Sequence, residues 1–94
     1  MAQFVTVTLK DRTRVTEEVM NPDRVRWDLT ASKQKWPKFT DAPFLGMTFF
    51  AFAAFKRTGR FDGTWEQWRD EECLDVEITD ADGNPVDEDD LAGE

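Results

Sequence analysis

Ninety-four residues with twenty Asp/Glu against twelve Lys/Arg, a net charge of −8, suffice for one small domain with a single core. The acidic balance argues against a nucleic-acid or anionic-membrane partner, because phosphates reward Lys and Arg. With no His and a lone Cys73, the sequence offers no Ser-His-Asp or Cys-His set, no His-ligated metal and no internal disulfide, and an unpaired thiol suits a reducing compartment.

Met1–Lys10 lacks a basic start followed by an apolar run, so no signal peptide is expected. Val5, Val7 and Leu9 alternate with Thr6 and Thr8, the period of a half-buried strand. After the polar break Lys10-Asp11-Arg12, Val15 and Val19 resume the alternation, which predicts a β-hairpin over residues 3–19. Asn21-Pro22-Asp23 reads as a helix start, since Asn can cap an open N–H and Pro fits the first turn. The predicted helix runs from Pro22 to Lys35, with Val25, Leu29 and Trp36 on its buried side and Trp27 and Ala31 beside them. Pro37 stops it.

Thr40-Asp41-Ala42-Pro43 starts a second helix, onto whose first turn Phe39 can staple. Ala42–Phe55 is the most apolar stretch, but its fourteen residues fall short of the ~20 that span a bilayer, so it reads as a buried helix. Lys56 and Arg57 suit the negative helix end, and Gly59 suits the C-terminal cap. A helix apolar on every side must be covered on every side, and a chain this small leaves an excess that suggests a subunit interface or a bound partner. Thr64-Trp65-Glu66-Gln67 is a capping box opening a short third helix to about Cys73. Leu74, Val76 and Ile78 then alternate with Asp75, Glu77 and Thr79 as a third strand able to pair with the hairpin, and Asp82-Gly83-Asn84-Pro85 is turn chemistry that closes the folded part. The expected fold is a small single α+β domain over residues 1–86: an N-terminal β-hairpin, three helices with the apolar one central, and a C-terminal strand.

Charge divides sharply along the chain. Residues 1–61 hold eleven basic and six acidic side chains, whereas residues 62–94 hold Arg69 and fourteen acids. The C-terminal part can lie against the basic body or stand out in solvent. Residues 87–94 carry five acids and only Leu91 and Ala92 as apolar content, which predicts a disordered acidic tail.

Candidate chemistry is sparse. Glu17-Glu18 and Asp70-Glu71-Glu72 lie in polar runs without the desolvation that poises a carboxylate for catalysis. Asp80-Ala81-Asp82-Gly83-Asn84 starts like a calcium loop, but Pro85 stands where glycine is required and Leu91 where glutamate is. Cys73 has acidic neighbours that raise a thiol pKa, so it reads as a small core or interface residue. No catalytic residue, cofactor or metal site is therefore expected. Four Trp and eight Phe are a heavy aromatic load, and interface hot spots are rich in Trp. The candidate partner-binding residues are Phe44, Phe49 and Phe52 on the apolar helix and Trp65 and Trp68 near the charge boundary.

Three runs carry a resemblance: Asn21 to Thr30 followed by Lys35-Trp36-Pro37, Asp41 to Gly59 with its apolar helix ending in Lys56-Arg57-Thr58-Gly59, and Thr64-Trp65-Glu66-Gln67-Trp68. Together with the acidic C-terminus, the chain over roughly residues 19–90 resembles the tail assembly chaperones of long-tailed bacteriophages. The resemblance implies a non-enzymatic protein of the host bacterial cytoplasm. It would bind the helical tape-measure protein, keep it soluble and help tail subunits assemble around it, while the over-apolar helix Phe44–Phe55 is itself expected to make the chain a homo-oligomer. A different class, a small virion structural protein such as a head–tail connector or tail component, fits the same residues, and an acidic DNA mimic fits them less well. The two leading readings differ in location, since a chaperone is absent from purified particles.

Overall fold

The computed structural model describes residues 2–86. The alternating N-terminal segment forms β1 (Gln3–Leu9) and β2 (Arg14–Val19), antiparallel with Val7 opposite Val15 and Thr6 opposite Thr16. Asp11 shapes the connecting turn by accepting hydrogen bonds from the Thr13 N–H (3.0 Å) and hydroxyl (2.6 Å), which lower its pKa. The third strand, β3 (Cys73–Thr79), pairs antiparallel with the other side of β1, giving the order β2-β1-β3.

Period 2 divides the sheet into two unlike faces. Val5, Val7, Val19 and Val76 point inward and are buried. On the outer face Thr6 reaches the hydroxyls of Thr16 at 2.7 Å and Thr79 at 2.9 Å. That face is roofed where the chain folds back after Thr79: Pro85 pairs with Thr79, Asp80 Oδ1 accepts the N–H groups of Asp82 and Asn84, and Gly83 crosses above Thr16 and Thr6. The expected turn chemistry is present, with Gly83 at φ +85°, where a side chain would be strained.

One strand position departs from the expected alternation. Thr8 pairs with Asp75 but Leu9 pairs with Cys73, so a bulge leaves Leu74 without a partner. Cys73 takes the inward place predicted for Leu74, and Leu74 is 48% exposed.

Helix α1 (Asn21–Gln34) also differs from its prediction in two respects. Met20, not Asn21, is the N-cap residue, and the Asp23 carboxylate closes the turn by accepting the Met20 N–H at 2.9 Å. The buried stripe follows Asp23 and Trp27. Val25 and Leu29 therefore face solvent, 44% and 67% exposed, instead of lining the core. Asp23 is fully buried because Arg57 answers it from across the fold, with two bonds of 3.1 Å, and Arg57 also donates to the Glu18 carbonyl at 2.9 Å. The carboxylate in turn raises the Arg57 pKa.

Helix α2 (Pro43–Thr58) carries the core. Neither Thr40 nor Asp41 caps it; Ala42 occupies that place without a side-chain bond. Phe39 does pack on the first turns, against Gly46, where a Cβ would collide with its ring. Gly59, at φ 80°, ends the helix as expected. All seven residues from Phe49 to Phe55 are buried by the sheet on one side and by α1 and the third helix on the others. The apolar excess anticipated for this helix is thus absorbed by the chain itself over those two turns, and only Phe44 at its start stands out, 75% exposed. No helix of the described residues is long and apolar enough to cross a membrane.

Helix α3 is a single turn, Trp65–Gln67, held by the predicted box: Gln67 N–H donates to Thr64 Oγ1 (3.1 Å) and Thr64 N–H to Gln67 Oε1 (2.9 Å). It widens at once into a π turn, Trp68–Glu72, which leads into β3. Residues 2–86 thus show the expected α+β fold, whereas the predicted tail over residues 87–94 lies outside the described residues.

Candidate binding groove

Rings from α1, α2, α3, the π turn and the loops between them form one connected aromatic network. Trp27, Trp36, Phe39, Phe49, Phe50, Phe52, Phe61, Trp65 and Trp68 are linked by centroid separations of 5.1–6.4 Å. Near its centre stands Trp36. The left-handed cap at Lys35 (φ 57°) turns the chain back, and the Trp36 N–H bonds the Ala31 carbonyl at 2.9 Å. The indole is thereby set 5.6 Å from Trp65 and 5.8 Å from Phe49.

Between α1 and α3 this network opens to solvent as a groove of about 320 Å³. Phe49 and Phe52 floor it, and Trp36 and Trp65 wall it. Arg26, Thr30 and Gln34, spaced by four along α1, make one polar rim; Glu66 and Arg69 make the other. A second hollow of about 310 Å³ lies on the far side of Trp36, bounded by Trp27, Ala31, Pro37, Lys38 and Phe39.

The rim is electrostatically uneven. Arg69 lies fork to fork against Asp70, at 2.7 and 2.6 Å, and this raises the Arg69 pKa and lowers that of Asp70. Among the described residues no carboxylate pairs with Arg26. Of the other acids singled out in the sequence, Glu17 takes Arg60 at 3.0 Å and Glu72 takes Lys10 at 3.7 Å. Asp80, the first residue of the calcium-like run, spends one oxygen on two turn N–H groups.

The five candidate partner-binding residues separate into three settings. Phe49, Phe52 and Trp65 converge on the groove, though Phe49 and Phe52 show it little more than a ring face. Trp68 is wholly buried, with its Nε1 donating to the Thr48 carbonyl at 3.0 Å, so it is a core residue and not a surface one. Phe44 is exposed but stands apart from the groove lining. Trp36, Arg26, Thr30, Gln34 and Arg69 were not anticipated as groove residues; the four-residue spacing of the α1 set was the signal that could have found them. Cys73 behaves as expected with a different leading cause: burial first, then Asp75, pushes its thiol up to about 11.

Compared with protein-family models, curated proteins and solved structures, the chain matches none.

Proposed function

We propose that this chain is a non-enzymatic binding protein of the bacteriophage tail assembly chaperone type, whose groove between α1 and α3 holds an apolar helical segment of the tape-measure protein in the host bacterial cytoplasm. The observation that carries this reading is the groove itself: the half-buried indoles of Trp36 and Trp65 stand over the nearly closed rings of Phe49 and Phe52, between two polar rims. Its length along α1, from Arg26 to Gln34, is about 12 Å, the rise of two turns of a docked helix. Trp and Arg are the side chains that anchor interfaces, and the groove supplies both.

Apolar contact at the half-buried indoles of Trp36 and Trp65 would contribute to the affinity at ~25 cal/mol per Å² removed from water. Val25 and Leu29, unexplained by the fold, lie on the solvent side of the same helix and widen the surface a client meets. The sequence resemblance over residues 19–90 supports the choice of client. Co-expression with the tape-measure protein of the same phage tests it: soluble yield of the client should rise, and the complex should persist at ~0.5 M salt, where exposed charge pairs are screened. A client whose solubility is unchanged, or the presence of this chain in purified particles, overturns the chaperone reading.

A further inference from the structure

We infer that the groove is also a self-binding site, filled in the absence of client by the acidic segment 87–92 of a second copy of the chain. The inference rests on the groove being the binding surface, not on the identity of the client. Its first support is complementary chemistry. Arg26 stands on the rim with no carboxylate of the described residues to answer it, and Lys33 lies two turns further along the same flank of α1. Arg69 faces them across an aromatic floor, sharing its charge with Asp70, and Glu66 is the one acid in the lining. The sequence Asp87-Glu88-Asp89-Asp90-Leu91-Ala92 supplies the reciprocal set: four carboxylates for Arg26 and Lys33 on the α1 flank, then one leucine for the indoles of Trp36 and Trp65.

Reach decides that the donor is a second copy. The described chain ends at Val86, one residue after Pro85 pairs with Thr79, in the segment that roofs the outer face of the sheet. Helix α2 lies on the opposite face, and α1 packs on α2. From the roof to the groove is therefore the thickness of the sheet and one helix, roughly 20 Å straight through and more around the edge. Leu91 is five residues beyond Val86, at most about 18 Å of fully extended chain. A chain cannot place its own Leu91 against its own groove indoles. A neighbouring copy meets no such limit, and the exchange can be reciprocal.

Two substitutions in the full chain test this without touching the core. Arg26→Glu spoils the groove rim and leaves the segment intact; Leu91→Asp spoils the segment and leaves the groove intact. Sedimentation of the native chain should show concentration-dependent association that weakens as salt rises, and each variant alone should lose it by about tenfold or more. Mixing the two variants should restore a heterodimer, because one copy still has a sound groove and the other a sound segment. A labelled peptide of residues 86–94 should bind the Leu91→Asp chain, and salt should release it. A native chain that stays monomeric at every concentration overturns the inference, as does association unaffected by both substitutions, or a mixture of variants that fails to associate. A peptide that does not bind while the tape-measure client does would sink this inference alone. A peptide that binds while the client does not would sink the proposed function and leave this inference standing.

Discussion

Helices α1 and α2 solve opposite problems. Helix α2 is apolar all round and buries seven consecutive residues, Phe49 to Phe55, within a single chain. Helix α1 is polar and buries a carboxylate, while its aliphatic Val25 and Leu29 face water. The contrast shows two ways of holding a helix. Helix α2 is held by area, whereas α1 is pinned at its start by the Asp23–Arg57 pair and at its end by Trp36. Core area tolerates little change, while the outer side of a pinned helix is free to serve another surface.

The sharpest break of that contrast comes from the core. Phe55→Ala should cost about 3–5 kcal/mol, because the ring is almost fully buried against Trp68, 4.9 Å away. Leu29→Ala on α1 should change the melting midpoint hardly at all, within about 0.5 kcal/mol. Thermal melts of the two variants side by side would check this; equal costs would mean that the α1 surface is covered.

The pinning pair gives the next largest effect, and it is asymmetric. Arg57→Met leaves the Asp23 carboxylate buried with only the Met20 N–H to answer it, at a cost of about 3–5 kcal/mol. Asp23→Asn leaves a guanidinium that can turn to water, so the loss should be smaller, about 1–3 kcal/mol. Denaturant titration of both variants ranks them, and the reverse order would contradict the pinning account.

The outer roof of the sheet is weaker still. Gly83→Ala combines a left-handed backbone with a Cβ only 3.2 Å from Thr16 Oγ1, and should cost about 1–2 kcal/mol by the same titration.

The smallest effect is at Cys73. Its thiol, pushed up to about 11 by burial and Asp75, stays protonated while an unfolded thiol ionises near 9. The unfolded chain then binds fewer protons, so stability is whole below pH 9 and declines as pH rises from about 9 towards 11. The decline should vanish in Cys73→Ala. At pH 8 alkylation of the native thiol should run about a hundredfold slower than that of a free cysteine.

The sequence made legible those elements whose causes are local. Alternation marked the three strands, the Thr64–Gln67 box marked α3, and Gly59 marked the end of α2. The facing of α1 was not legible, because aliphatic spacing at Val25 and Leu29 pointed one way while the residue that decides it, Arg57, lies 34 positions from Asp23. The bulge at Leu74 was hidden for a similar reason: it exists only in the pairing with Leu9. Half of the groove could be foreseen from aromatic content, since Phe49, Phe52 and Trp65 converge there. Its other wall depends on Trp36, which a left-handed residue after α1 swings out of the helical register the sequence suggested.

The measurement that bears most directly on the groove as the binding surface is a titration of a fluorescent helical tape-measure peptide into the native chain and into Trp65→Ala and Phe44→Ala. Trp65→Ala should weaken binding by about tenfold or more, while Phe44→Ala, outside the groove, should leave it nearly unchanged. Circular dichroism would show all three chains folded. Undiminished affinity in Trp65→Ala together with loss in Phe44→Ala would place the binding surface at the start of α2 and contradict the account.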